Sequence, residues 1–492
     1  TRLLIVTGVQ TCALPISILH RDRRLTYSEL NRQANRLARV LAAAGVGPER
    51  VVALCMDRTP EWIAAMLAVS KAGGAYMGLE PDYPAALVQD LIVRSRATLV
   101  VADERCRETL HGVSAPVIWT GQWPQPADGD DESPPLAAGP DALAHVFFTS
   151  GSTGKPKGIA TEHRQLSAYL AGYHWMPYSA SDTCLQFTSV TFDPSATEVW
   201  GPLPHGGRCA VYGEGLDDPT RLSEWIRESG ASMCYLSASV FNTLIDLAPE
   251  VLRPMRRILI GGEALSAPHI RRGLDLLPRT ELVNGYGPTE TTLYCTGYHI
   301  PRPFDPARAS VPIGRPIDNG CAYVMDSWGQ LVPDGLPGEL WIGGDTVGRG
   351  YLHEPAFTAA AFTASPVPGD GRSRVYHTGD RARWLPDGEL EYLGRIDHQV
   401  KVRGVRIELG EIEAVLREHP AVRHAGAVAV PHPVAGNTLT GFVELQDGAS
   451  TPATELRAFL AGRLPHQMVP ARLEIRQALP LTASGKIEAD AQ

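Results

Sequence analysis

At 492 residues the chain is too long for one hydrophobic core, so at least two domains are expected. With 20% charged and 44% apolar residues it has the balance of a folded globular protein rather than a disordered chain. A formal charge of −9 argues against a nucleic-acid binder or a binder of anionic membranes.

Residues 1–17 (TRLLIVTGVQTCALPIS) lack an initiating Met, and Gly8 and Gln10 break the apolar stretch, which makes a poor signal peptide. VTGVQTCALPI resembles translated sequencing-adapter DNA, so this segment is taken as an artefact and Cys12 is set aside. From Leu25 the sequence alternates helical and strand patterns, which predicts an α/β protein. LTYSELNRQANRLARVLAAAGV has helical spacing behind a Ser/Thr-type cap and stops at Gly45. Val51 to Asp57 is a short buried strand, and EWIAAMLAVSKAGG is a second helix ending on glycines. Gly121 to Asp141 is rich in Pro, Gly and Asp and predicts a surface loop. Ala144 to Thr149, Met233 to Leu236 and Arg257 to Ile260 predict strands, each followed by a turn of small or polar residues, where open parallel sheets bind their ligands. From about Ile313 short strands and Gly/Asp turns predict a β-rich subdomain, and beyond Arg395 a charged stretch leads into an α+β segment. Eight cysteines with no CxxC pair indicate neither a zinc site nor a disulfide framework, and a cytoplasmic setting is the expectation. No apolar run approaches the roughly 18 residues of a membrane span.

The first chemical signal is TSGSTGKPKG, which is Thr149, Ser150, Gly151, Ser152, Thr153, Gly154, Lys155, Pro156, Lys157 and Gly158. Its small residues let backbone N–H groups approach a polyphosphate, while the hydroxyls and the two lysines add donors and charge. It is not a Walker loop, because the order of Gly and Lys differs and Pro156 would break the helix such a loop opens. Only five of the 45 basic residues are lysine (Lys71, Lys155, Lys157, Lys401 and Lys486), and two of the five fall in this loop.

The loop resembles the phosphate signature of the adenylate-forming superfamily, which includes acyl-CoA synthetases, luciferases and the adenylation domains of nonribosomal peptide synthetases. LTYSEL, KAGGAY, FDPS, NGYGPTE, GELWIGGDTVGRGYL, YHTGD, GRIDHQVKVRGVRIELGEIE, LPHQMVP and SGK follow in the order of a peptide-synthetase adenylation domain. The resemblance implies a large N-terminal core of layered α/β sheets (18–396, β-rich from about 313) and a small mobile α+β lid (397–492) with its hinge at Asp397. It implies that an amino acid and ATP give an aminoacyl adenylate and pyrophosphate, after which the acyl group passes to the phosphopantetheine thiol of a carrier protein.

Roles follow by position. Tyr286 would offer an aromatic face to adenine with Asn284 beside it, Thr289 would bond the α-phosphate, and Glu290 would hold Mg²⁺. Asp380, assisted by Arg395, would take the ribose hydroxyls, and Lys486 would bridge the substrate carboxylate and the α-phosphate. Lys401 to Gly404 would face the thiol tunnel after rotation. Asp193 would pair with the substrate ammonium, since a buried unpaired carboxylate is costly. With it, Pro194, Thr197, Ser239, Leu259, Gly261, Gly285, Leu293 and Tyr294 would line the side-chain pocket, closed by Lys486. The small residues among them predict room for a neutral, medium to large side chain, aromatic or branched.

Gly78 and Glu80 stand where the family usually has Pro and Asp, Gln467 replaces a Tyr, and SGKIEAD lacks the Arg that normally closes the last motif. Only six residues follow Lys486, so the chain is expected to be a module fragment whose carrier and condensation domains lie elsewhere in a full synthetase; a free-standing enzyme is the other possibility. An acyl- or aryl-CoA ligase, disfavoured by Asp193, and a catalytically silent nucleotide-binding protein are the alternatives in activity.

Overall fold

The computed structural model describes residues 15–124, 132–151, 155–215, 218–365, 367, 374–397, 399–402, 404–432 and 436–479. Ser152, Thr153, Gly154 and Lys486 therefore lie outside the described residues.

The first predicted helix spans Tyr27–Ala43 and opens on a capping box: the Thr26 hydroxyl accepts from the Glu29 backbone N–H, and the Glu29 carboxylate accepts from that of Thr26. It ends before Gly45, whose φ of +90° a side chain would disfavour. The second helix, Pro60–Lys71, is capped by Thr59 and buried along almost its whole length. At its end the Lys71 ammonium donates to Asn31 Oδ1 and Ser133 Oγ, both at 2.9 Å, and burial lowers its pKa to about 8. That lysine lines neither of the two cavities described below and serves as a packing residue.

These helices feed two large sheets. In the first, Ile16–His20, Arg208–Val211, Thr183–Gln186, Met233–Ser237, Arg257–Gly261 and Glu281–Tyr286 run parallel side by side, with antiparallel strands closing both edges. In the second, Val51–Cys55 lies between Ala75–Leu79 and Leu99–Ala102, and Leu143–Thr149 turns back antiparallel into Lys157–Glu162. Ile18, Cys184 and Tyr235 from one sheet and Val52, Leu54 and Tyr76 from the other share one apolar core with Trp62 and Leu37 of the helices. The parallel strands are apolar runs rather than alternating ones because both faces are covered.

The first strand begins at Ile16, inside the segment set aside as artefact up to residue 17. Ser17 is fully buried and donates to the Leu25 carbonyl at 3.1 Å, so the folded chain starts earlier than the sequence boundary.

The predicted β-rich region forms a five-stranded sheet of Gly320–Met325, Gly338–Gly344, Arg374–Trp384, Phe362–Ala364 and Leu390–Arg395. Beyond it, a hairpin of Val400–Val402 and Val405–Ile407 precedes helices Leu409–Arg417 and Ala453–Ala461 and a three-stranded sheet. Their apolar core draws only on residues from Val400 to Leu473. The molecule is thus a large N-terminal α/β core with a smaller C-terminal domain. Among the described residues no helix is long and apolar enough to cross a membrane, no group of side chains could hold a metal by protein ligands alone, and the seven described cysteines are free.

Candidate active site

Parallel strands deliver their carboxyl ends to one side, which places Ser237, Gly261 and Gly285 together beside the end of Leu143–Thr149. A cavity of about 400 Å³ opens there, and Thr149, Ser150, Asp193, Thr289, Tyr294 and Asp380 are among the side chains that face it. The C-terminal hairpin roofs it. Gly404, at the turn with φ +81°, donates its N–H to Glu263 Oε1 at 2.6 Å, and a Cβ there would come within 2.8 Å of Ser237 Cβ. Ser150 Oγ donates to the Arg406 carbonyl at 2.8 Å and accepts from the Glu408 N–H at 3.1 Å, so Ser150 holds the hairpin down.

Arg406 is the residue sequence reasoning missed. Its guanidinium reaches both carboxylate oxygens of Glu290 at 3.0 and 3.1 Å, and the Tyr351 hydroxyl donates to Oε1 at 3.0 Å. Burial pushes the Glu290 carboxyl up, and Arg406 more than offsets this, holding it below the ordinary range. The carboxylate expected to meet Mg²⁺ is already neutralised by an arginine that arrives from 116 residues away. One carboxylate suits Mg²⁺ only in company with substrate phosphate oxygens, and here it is available only if the hairpin withdraws.

Asp380 is 2% exposed and held at both oxygens, by Arg395 Nη1 at 3.0 Å and by the Tyr286 hydroxyl at 2.5 Å. Arg395 also clasps Asp397 through Nε and Nη2, so the expected hinge residue is tied to the nucleotide side of the cleft. Tyr286 differs from expectation. Its ring is packed among Cys295, Ile313 and Leu340 and borders neither cavity, because its hydroxyl is drawn to Asp380. Asn284 also turns away, donating to the Pro312 carbonyl at 2.7 Å. Lys401 stands 5.9 Å from the Tyr286 ring centre, where burial lowers its pKa against the opposing pull of Asp380. Lys157 lies 4.1 Å from the Phe357 ring centre and lines a second cavity with Glu290, whereas Lys155 is exposed.

Asp193 precedes the helix Pro194–Trp200 without capping it, which leaves its carboxylate to the cavity. Burial raises its pKa to about 6. The Thr289 hydroxyl and Lys401 favour the charged form, while Glu290 opposes it. Of the expected pocket residues, Pro194, Gly261, Leu293 and Tyr294 line the cavity with it. Thr197 and Leu259 are fully buried behind that wall, and Ser239 faces Ser237 Oγ at 3.0 Å from the following helix. The space expected over Gly261 and Gly285 is filled by the Tyr294 ring: a Cβ on either glycine would stand 2.9 Å from it. Tyr235, Leu236 and Val240 line the wall instead. The strand-to-helix junction at Ser237 was the available signal for them, since it puts residues on both sides of the turn at the sheet's edge.

Comparison with known proteins identifies the family. The sequence model of the AMP-binding enzymes matches residues 9–352, and that of the AMP-binding enzyme C-terminal domain matches 411–486. The chain is 39% identical over 466 residues to tyrocidine synthase 3 of Brevibacillus parabrevis, covering 94% of this chain and 7% of that protein. It is 37% identical over 478 residues to gramicidin S synthase 2 of Brevibacillus brevis, covering 97% of this chain and 10% of that one. The chain thus spans a tenth or less of the length of these two curated relatives. Among solved structures it superposes with a TM-score of 0.87 on holo-PA1221, a nonribosomal peptide synthetase protein containing adenylation and PCP domains, at 31% identity, covering 97% of this chain and 81% of that one.

Proposed function

The chain belongs to the family of AMP-binding enzymes, and on that premise we propose that it activates an amino acid. The substrate carboxylate attacks the α-phosphorus of ATP, pyrophosphate leaves, and the aminoacyl group passes from AMP to the phosphopantetheine thiol of a peptidyl carrier protein. The observation that carries this reading is Asp193: an uncapped carboxylate in the cavity beside the phosphate loop, at a cost in burial that a bound ammonium would repay. The peptide synthases among its relatives support it, and a neighbour containing adenylation and PCP domains supports the carrier as partner. A neighbouring condensation domain and a cytoplasmic setting complete the proposal.

A carboxylate is ionised at neutral pH, so the first step needs no general base. It needs two anionic partners brought into line with their charge offset. Thr149, Ser150 and Lys157 border the cavities where the phosphates would lie, and Thr289 lines the first of them. Asp380, steadied by Arg395, receives the ribose diol once Tyr286 yields its hydrogen bond. Mg²⁺, when bound, neutralises the phosphates; Glu290 is the carboxylate that would hold it, with Arg406 withdrawn. Lys486 then closes on the reacting carboxylate. The second step follows rotation about Asp397, and the hairpin contacts of Gly404 and Arg406 belong to that later arrangement. The test is ATP–pyrophosphate exchange that depends on an amino acid. A CoA thioester formed without amino-acid dependence would replace this reading with that of an acyl- or aryl-CoA ligase.

A further inference from the structure

Two tyrosines, Tyr235 and Tyr294, line the cavity that Asp193 also lines. Tyr294 lies against Gly261 and Gly285, with its Cε1 and Cδ1 each 2.9 Å from where a Cβ would be, so the ring occupies the volume those two glycines leave. Its plane stacks on Tyr235 at 5.9 Å between centres and 7° between planes. Tyr235 has no room to retreat: its hydroxyl meets those of Tyr178 and Tyr173, and Tyr169 packs on Tyr173 at 4.9 Å. The backbone leading into Tyr294 is equally set, because Thr292 and Leu293 both adopt left-handed φ values, of +55° and +70°. Thr197 and Leu259, also expected among the pocket residues, are fully buried.

Resting on the amino-acid reading above, we propose that Tyr294 is the floor of the side-chain pocket and limits the substrate to amino acids with small side chains, of glycine, alanine or serine size. A longer side chain extending from an ammonium held at Asp193 toward Gly261 would collide with the Tyr294 ring. Close-packed surroundings do not yield a ring's volume cheaply. The phenol of Tyr294, which lines the cavity, gives the floor a polar atom that a hydroxymethyl group can meet.

The experiment is amino-acid-dependent ATP–pyrophosphate exchange across glycine, alanine, serine, valine, leucine, phenylalanine and tyrosine, with the wild type, Tyr294→Ala and Tyr294→Phe. The wild type is expected to favour one of the three smallest over leucine and phenylalanine by about 100-fold or more in kcat/KM. Tyr294→Ala should raise kcat/KM for valine and leucine by about 10-fold or more relative to the small substrates. Tyr294→Phe, which keeps the ring, should keep the size limit. Exchange led by leucine, phenylalanine or tyrosine in the wild type overturns the size limit and leaves the amino-acid reading standing. Exchange with no amino acid at all overturns both. The wild-type panel decides the matter even if Tyr294→Ala does not fold.

Discussion

Arg406→Ala separates the two half-reactions. In the docked arrangement the Arg406 guanidinium makes two charge-assisted contacts to Glu290, at 3.0 and 3.1 Å, to a carboxylate that is 1% exposed. Removing one member of a buried pair costs about 3–5 kcal/mol, mostly because the partner charge stays behind unpaired. Tyr351 still donates to Glu290 in the variant, which argues for the lower end, about 3 kcal/mol. The contacts of Gly404 with Glu263 and of Ser150 with Arg406 and Glu408 backbone groups remain, so the hairpin still docks, but against a penalty of about 100-fold in population. Transfer of the aminoacyl group to a carrier protein should therefore slow by up to about 100-fold. Amino-acid-dependent pyrophosphate exchange, which needs Glu290 released, should change by far less. The assay is single-turnover loading of a radiolabelled amino acid onto a phosphopantetheinylated carrier, run beside exchange on the same preparation. Arg406→Lys should fall between, because both contacts come from the one Nη1 nitrogen, which an ammonium can imitate only from a shorter side chain. If exchange collapses while loading from preformed aminoacyl adenylate is normal, Arg406 serves the first step and the assignment of the docked hairpin to the second is wrong.

Three further outcomes are expected. Replacing Lys486 with Ala should lower amino-acid-dependent exchange by about 10² to 10³, as for loss of one transition-state donor; near-normal exchange would remove its assigned role. Asp193 has a folded pKa of about 6 against an ordinary value of 3.8, so the native state binds more protons than the unfolded one between those pH values. The stability of the ligand-free protein should fall as pH rises through that window and level off above it. Asp193→Asn should abolish that slope and be more stable by about 2–3 kcal/mol at pH 8, while raising KM for the amino acid; urea unfolding at a series of pH values with the same slope for both proteins would refute this. Gly78→Ala should destabilise the protein by about 1–3 kcal/mol, because a Cβ there would stand 2.1 Å from the Val190 carbonyl oxygen; an unchanged melting temperature would show that the Ser189–Thr191 segment yields freely.

Gly78 also illustrates where the sequence is legible and where it is not. In the sequence it is only a departure from the usual motif, and the structure supplies a reason for a glycine in one close contact. Elements governed by neighbours along the chain were readable: the Ser/Thr-type cap of the first helix, its stop at Gly45, and the apolar strands Val51–Cys55 and Arg257–Gly261. Caps, breakers and hydrophobic period act within a few residues, so residue type alone carries them.

The chemistry of the site divides along the same line. The resemblance implied that Asp193, Glu290, Asp380 and Arg395 serve one site, and each of them lines one of the two cavities. Which partner each one meets did not follow. Glu290 is claimed by Arg406, Tyr286 by Asp380, and the space above Gly261 and Gly285 by Tyr294. The amino-acid types by themselves gave the α/β pattern and a turn of small residues and lysines suited to a polyphosphate, and the ordered motifs added the carboxylates by resemblance. Only the tertiary structure decided which charge faces which, and whether two glycines leave room for a ligand or for a neighbouring ring, because both depend on distances between residues that the chain brings together from far apart.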